Sequence, residues 1–490
     1  MHERVEKSST GPRRAAATRP LALVLLALLG ASLPAAPAAA QAEPTCARQD
    51  RIEVPGAAQQ DLACLEDLST RGTLLSGHTE RDDWDGLSAA DTKNPSGFPG
   101  IQVDGYFPDD STLSTNNADL GYAGHDSQFV IRLPDDWNGK LVITGAPGTR
   151  AQYANDFLIS DFVLDRGYAF ASTDKGNSGA TFYEDGDQPG DAVAEWHRRV
   201  TQLTRASQAV ARQRYGRAAK RTYMTGISNG GYLTRYALEN HPGLYDGGVD
   251  WEGTLFRPDN NLLTYLPATL RNYPSYAATG DEQAAARIVA AGFAAGSKFL
   301  WRDHYSTYWD LTQRLYREEF DPGYDGALEG GVPFCQAGTG VPGCDADYRY
   351  GERPDSVRKA IGRVSNSGAI GRKLITLHGT LDTLLPIRLD SDRYAKLVRR
   401  NGEAPHRYYK IGKGSHVDGY YDDFPERLRP MLPCYRASFL AMNRWVTRGR
   451  KPPASRSVPK RGSSDGDTVN RCSFGGITYR GRGLPADPAP

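Results

Sequence analysis

Tyr223-Met224-Thr225-Gly226-Ile227-Ser228-Asn229-Gly230-Gly231-Tyr232-Leu233 decides how the rest of the chain is read. Thr222 to Thr225 is short and β-prone, and a helical pattern runs from Gly230 to Asn240. The stretch therefore describes a strand end, a sharp turn and a helix start. The turn is Gly226-x-Ser228-x-Gly230, the pattern of a nucleophile elbow, which lifts a serine hydroxyl above the edge of a sheet. Small residues are needed at both glycine positions, because the incoming strand and the outgoing helix nearly touch there. Five residues of this kind also arise by chance in a chain with 53 glycines. What decides is context: a nucleophilic serine needs an acid and a histidine, and on an elbow of this type they follow in that order.

Both are found downstream. Arg372 to His378 is an apolar strand, and the glycine turn after it leads to Asp382. A carboxylate at that place can accept a hydrogen bond from an imidazole and fix its tautomer. His378 itself is expected to orient the loop. His406 to Ile411 reads as the last strand, and Gly412-Lys413-Gly414-Ser415-His416 follows as a flexible loop, which makes His416 the expected general base. Asp418, two residues on, is expected to shape that loop. Upstream, Gln128 to Leu133 and Lys140 to Thr144 are strands, the second nearly all apolar and so internal to the sheet. The Gly145-Ala146-Pro147-Gly148-Thr149 loop lies at the strands' carboxyl edge, where backbone amides can face a developing oxyanion. Asn229 N–H is the expected donor from the elbow, and Gly145 or Ala146 the expected source of the other, with Thr144 and Gly148 open as alternatives. The strand Gly167 to Ser172 ends in Thr173-Asp174-Lys175-Gly176, where Asp174 and Lys175 are expected to pair and hold the loop, a substrate contact being the alternative.

The first 42 residues read as a secretory signal peptide: Arg13, Arg14 and Arg19 precede a short apolar run from Leu21 to Leu29, and small residues around Ala38 to Ala42 suit cleavage. That run is too short to span a bilayer, and no later stretch is long and apolar enough. Without these residues the net charge of +1 falls to about −2, a balance that gives no reason to expect nucleic acid or an anionic membrane as partner. Six cysteines remain, and in an exported chain an even number suggests disulfides. The local pairing Cys46–Cys64, Cys335–Cys344, Cys434–Cys472 is the simplest of fifteen.

Residues 43–125 are poor in periodicity and read as an N-terminal arm that wraps the core, with a few short strands or turns. Residues 126–254 and 368–450 alternate strands and helices as a catalytic core. Between them, 255–367 breaks the alternation. It holds two helical stretches, Ala284 to Lys298 and Tyr308 to Glu319, among Pro- and Gly-rich loops, and reads as a cap over the site. Its Tyr265, Tyr273, Tyr276, Trp301, Tyr305, Tyr308 and Trp309 either line a binding wall or, for most of them, form the cap's own core. Asp321, Asp325, Asp345 and Asp347 follow no calcium-loop spacing, and no metal or other cofactor is expected. Residues 451–490 read as a polar tail.

The Ser-Asp-His order, the elbow and the loops after strands resemble the alpha/beta-hydrolase superfamily over about residues 125–450. The implied fold is α/β, a mostly parallel central sheet with a large cap insertion. Gly167 to Gly179, the Gly226–Gly231 elbow and the cap-sized insertion look closest to the tannase and feruloyl esterase group and to the hydroxybutyrate oligomer hydrolases. One departure is that no cysteine directly precedes Ser228 or flanks His416, where the tannase group often carries a joining pair. The resemblance implies a secreted serine esterase acting through an acyl-enzyme on an aromatic-acid ester or a short hydroxyalkanoate oligomer. A peptidase on the same fold, with Glu318 or Glu319 recognising a peptide, is the competing expectation, and a binding protein on a hydrolase scaffold the third. Oligomeric state is not legible.

Overall fold

The computed structural model describes residues 52–109, 121–122, 124–324, 344–402, 405–460 and 467–481. The expected signal peptide, Cys46, Asp325, Cys335 and the side chain of Cys344 lie outside the described residues. The strands are β1 (Gln59–Leu65), β2 (Gly100–Tyr106), β3 (Gln128–Pro134), β4 (Lys140–Gly145), β5 (Ala169–Thr173), β6 (Arg221–Ile227), β7 (Gly247–Trp251), β8 (Lys373–Gly379), β9 (His406–Ile411), β10 (Arg456–Val458), β11 (Arg471–Phe474) and β12 (Ile477–Arg480). The first ten form one sheet in the order β1-β2-β3-β5-β4-β6-β7-β8-β9-β10, and β11 and β12 form a separate hairpin. From β5 to β10 neighbours run parallel, while β1, β2 and β3 pair antiparallel at one edge. The swap of β4 and β5 in the spatial order and the antiparallel β3 are the topology of an alpha/beta-hydrolase.

Helices cover both faces, which is why the inner strands are apolar on both sides. On β4, Leu141 and Ile143 face one cluster, with the long helix Asp191–Tyr215. Val142 between them faces the other, with the helix Leu432–Arg448. On β5, Ala169 and Ala171 face the first cluster and Phe170 the second.

One expectation about the ends of the sheet changes, and another gains detail. The segment read as an arm supplies β1 and β2 to the main sheet. β9 is not the last strand: β10 pairs parallel with it, at Arg456 with Tyr409 through Val458 with Ile411. β10 has only three residues, so it lacks the apolar run that betrays an inner strand.

The insertion between β7 and β8 is helical and cap-like. Its longest helix, Leu262–Thr279, was not legible, because it holds Pro267 and Pro274. It starts at a capping box in which Asn261 accepts from Leu263 N at 3.0 Å. Buried Leu262, Leu263, Leu266, Leu270 and Tyr273 recur along one face, and that burial outweighs the proline penalty. Helices Glu282–Ala290, Asp310–Phe320 and Asp355–Arg363 complete the region. No helix among the described residues is long and apolar enough to cross a membrane.

Candidate active site

The elbow has the strain that its sequence implies. Ser228 adopts φ 56° and ψ −121°, outside the regions an L-residue prefers. The corner is held by Ser228 N–H donating to the Trp251 carbonyl at 3.0 Å and by Tyr232 N–H donating back to the Ser228 carbonyl at 2.9 Å. A Cβ on Gly226 would lie 2.5 Å from the backbone of Gly230, and one on Gly230 would lie 2.5 Å from the Gly145 carbonyl oxygen. Strand, helix and the loop after β4 thus meet at backbone contact.

The loops that carry Asp382 and His416 are stitched to each other. Leu381 N–H donates to the Gly414 carbonyl at 2.8 Å. Lys413 N–H donates to Thr380 Oγ1 at 2.9 Å. His416 Nδ1 lies 2.8 Å from Asp382 Oδ2, and Asp382 Oδ1 accepts from the amides of Leu384 and Leu385, each at 2.8 Å. Burial opposes ionisation of Asp382. The adjacent His416 and hydrogen bonds from His378 and His416 outweigh it and hold the carboxyl well below its usual range.

His378 touches this acid as well: Nε2 is 2.8 Å from the Leu385 carbonyl and 3.2 Å from Asp382 Oδ2, and Nδ1 is 2.7 Å from Ser391 Oγ. Two acceptors on one side assign the Nε2 proton. Asp418 shapes its surroundings through the start of the helix Leu432–Arg448, its carboxylate accepting from Met431 N at 2.6 Å and Leu432 N at 2.8 Å.

Ser228, Asn229 and His416 open onto one cavity of about 210 Å³. Its walls are mostly apolar: Leu262, Tyr308, Leu311, Leu315 and Tyr316 come from the cap, and Leu384, Leu385 and Val417 from the acid and histidine loops. Leu87, from the segment read as an arm, completes the wall next to the histidine loop, where Asp418 N–H donates to its carbonyl at 3.1 Å. Of the cap aromatics, Tyr308 lines the cavity, while Tyr265, Trp301 and Trp309 are buried in the cap core. Trp309 also reaches the acid loop, its Nε1 donating to the Thr383 carbonyl at 2.6 Å. Glu318 pairs with Arg317, and Glu319 is buried where it accepts from Val193 N, so both are engaged elsewhere than at the cavity wall.

Of the two expected loop donors, Ala146 is engaged elsewhere. Ala146 N–H donates to the Thr173 carbonyl at 2.9 Å and is consumed in the sheet edge. Gly145 is the last residue of β4, packed so that a Cβ would lie 2.7 Å from Leu233. The residues of that loop that line the cavity are Pro147, Gly148, Thr149 and Arg150. Asn229 lines it too, and its side chain does more than its amide promised. Nδ2 donates to the Gly148 carbonyl at 3.1 Å, while Oδ1 accepts from Thr254 Oγ1 at 3.1 Å and from Tyr316 OH at 3.0 Å. Elbow, loop and cap are joined through one side chain.

Asp174 and Lys175 are structural. Asp174 accepts from Gln128 N at 2.9 Å and Gly176 N at 2.8 Å. Lys175 is buried, with Nζ 3.4 Å from the Arg150 carbonyl. The cap carboxylates raised as calcium ligands are taken by protein partners: Asp321 by Arg353, Asp345 by Arg317 and Asp347 by Tyr324.

One residue that the sequence places near the site by topology, at the close of a strand, turns out to touch the histidine. Glu252, just past β7, has φ 52° and is fully buried. Its Oε2 is 3.6 Å from His416 Nδ1, and Trp251 Nε1 donates to its Oε1 at 2.9 Å. Its position at a strand's carboxyl end was the available signal.

Residues 122–251 match the model of the family described as tannase and feruloyl esterase. The chain is 28% identical over 138 residues to mono(2-hydroxyethyl) terephthalate hydrolase of Piscinibacter sakaiensis, covering 26% of this chain and 23% of that protein. It is 28% identical over 163 residues to a probable feruloyl esterase of Arthroderma benhamiae, covering 31% and 30%. The chain thus spans less than a third of the length of these curated relatives. Among solved structures, feruloyl esterase B from Aspergillus oryzae superposes with a TM-score of 0.48 at 14% identity, over 85% of this chain and 92% of that one. The sheet order, the elbow and the family match together assign the chain to the alpha/beta-hydrolase superfamily, which includes the tannase and feruloyl esterase family and related ester hydrolases.

Proposed function

We propose that the chain is a secreted serine carboxylic-ester hydrolase in which Ser228 is the nucleophile, His416 the general base and Asp382 the acid. The observation that carries this reading is that Ser228, on a strained corner, and His416, held by Asp382 at 2.8 Å, face one cavity. With Nδ1 committed to Asp382, His416 Nε2 is the nitrogen that takes the Ser228 proton. The serine oxygen attacks the ester carbonyl. The Asn229 amide and an amide of Gly148 or Thr149 stabilise the oxyanion, aided by the N-terminus of the helix Asn229–Asn240. The imidazolium protonates the leaving alcohol, and water then frees the acyl group.

A cavity of about 210 Å³ walled by leucines and tyrosines suits a flat aromatic acyl group, such as a hydroxycinnamate, gallate or terephthalate. The two curated relatives are named for esters of aromatic acids, which supports the same class. A short hydroxyalkanoate ester is the second candidate. Residues 255–367 act as the cap that closes over the acyl group, and the disulfide between Cys434 and Cys472 fits an exported protein. The test is turnover of methyl ferulate, methyl gallate, a terephthalate monoester, hydroxybutyrate oligomers and a peptide anilide by the mature protein and by Ser228→Ala. Turnover of the aromatic esters, lost in Ser228→Ala, is expected. Turnover of the anilide alone would establish the peptidase instead.

A further inference from the structure

Asp382 is not the only carboxyl within reach of His416. Glu252 lies at the end of β7, next to the end of β8 from which the Asp382 loop departs. Side-chain oxygens of Glu252 and Asp382 and a ring nitrogen of His378 all lie within 4.8 Å of one another, in a fully buried cluster. Glu252 Oε1 is occupied by the Trp251 indole, whereas Oε2 is buried, makes no hydrogen bond among the described residues and points at the gap between Asp382 and His416. The glutamate is locked in place: its backbone is in the left-handed region, its N–H donates to the Leu377 carbonyl at 2.8 Å, and Trp251 stacks on Tyr435. An unpartnered carboxyl oxygen held this rigidly inside a protein is costly unless it carries a proton and has something to give it to.

Resting on the triad assigned above, we propose that Glu252 is a positioning residue of this site: it remains protonated, steers its acidic hydrogen toward Asp382, and stands as a surrogate acid for His416. The groups that face it are Asp382, His378 and His416, and two adjacent carboxylates in such a place cannot both ionise. Burial first, then the Asp382 charge, pushes the Glu252 carboxyl well above its usual range, so the proton belongs to Glu252 and the charge to Asp382. During turnover the Ser228 proton moves to His416 and on to the leaving alcohol, while Glu252 keeps its own. When Asp382 is removed, nothing opposes ionisation of Glu252 except burial, and the imidazolium formed 3.6 Å away offsets that.

The experiment compares kcat, KM and pH profiles of the wild type with Glu252→Gln, Glu252→Ala, Asp382→Ala and Asp382→Ala/Glu252→Gln, on an ester the wild type turns over. Ser228→Ala is assayed beside them, so that a failure of the triad is seen separately. Activity surviving in Ser228→Ala overturns the triad and this proposal with it. Glu252→Gln, which keeps a neutral donor and an acceptor for Trp251, is expected to retain kcat within about threefold, whereas Glu252→Ala loses about tenfold or more in kcat at nearly unchanged KM. Asp382→Ala is expected to fall only about 100-fold, with its acid limb shifted upward. The double variant falls by the ~10,000-fold typical of a triad without its acid. Equal activity of Asp382→Ala and the double variant would overturn the surrogate role. Glu252→Gln as impaired as Glu252→Ala, with both folded by thermal melting, would overturn the proton-donor role.

Discussion

At Asn229 one side chain holds three parts of the molecule that must move together if the cap moves. Its amide oxygen takes both the Thr254 and Tyr316 hydroxyls, and its amide nitrogen supports the Gly148 carbonyl. Asn229→Ala leaves two buried hydroxyls unpaired, at a cost of about 1–3 kcal/mol. It also frees the loop proposed to supply the second oxyanion donor. The expected result in steady-state kinetics is a fall in kcat larger than the rise in KM. A change in KM alone would mean that the side chain serves only to bind. Lys175 makes a second residue-scale case. Burial lowers its ammonium from 10.5 to about 8, so the folded chain binds fewer protons than the unfolded one between those values. The unfavourable contribution of the buried charge is fully present below about pH 8 and is relieved as pH rises toward 10.5. Relative to Lys175→Met, the wild type should therefore gain on the order of 3 kcal/mol in urea unfolding between pH 7 and pH 10.5. A flat difference across that range would mean that the ammonium is solvated. What the sequence could point to at this scale were residues with a local signature: Ser228 by its glycines, Asp382 and His416 by loops after strands. Glu252 and the Asn229 side chain have no such signature, because their partners lie far away in the chain.

Among elements, the elbow helix is fastened to the acid loop by Arg235. Its guanidinium is fully buried and donates to Asp250 at 2.7 Å, Asp390 at 2.9 Å and Ser391 at 2.7 Å. Asp390 also accepts from Leu255 N at 2.9 Å, at the entrance to the cap, and Ser391 in turn meets His378. One arginine therefore sets the elbow, the cap entrance and the strand that presents Asp382 in a common frame. Arg235→Met removes the cation and leaves two buried carboxylates facing each other, a change worth about 3–5 kcal/mol. Chemical denaturation should show that loss, and activity at low temperature should fall with it. A loss below about 1 kcal/mol would mean that water replaces the guanidinium. Elements were legible where period and burial agree, as for β4, β6, β8 and β9. They were not legible where a breaker sits in an apolar face, as with Pro267 and Pro274. The helix read from Ala284 to Lys298 ends at Ala290 and continues as a tighter turn from Ala295, since Gly292 with φ 121° stops the first helix. β10 was not legible for a different reason: an edge strand of three residues borrows its stability from the neighbour it pairs with and needs little apolar pattern of its own.

For the molecule as a whole, the C-terminal segment is part of the core rather than an appendage. After β10 joins the sheet, β11 and β12 return to pack Phe474, Ile477 and Tyr479 against the helix Leu432–Arg448. The Cys434–Cys472 disulfide, with Cα atoms 4.9 Å apart, fastens that hairpin to the same helix. This pairing is the local one expected from the cysteine order, and Cys64 is also disulfide-bonded. The helix matters to the site because Asp418, two residues beyond His416, accepts from the amides at its start. A cross-link closing 38 residues contributes about 4 kcal/mol in the chain-entropy account, less any relaxation of the reduced form. Replacing both cysteines, Cys434→Ala with Cys472→Ala, should lower the unfolding free energy by about 2–4 kcal/mol, because the alanines still fill a buried apolar site. The hairpin keeps its apolar contacts and Asp418 keeps its helix, so turnover at 25 °C should remain close to that of the wild type while heat inactivation comes earlier. If turnover falls as far as stability does, the disulfide governs the position of the His416 loop, and the site extends through that helix to the end of the described chain.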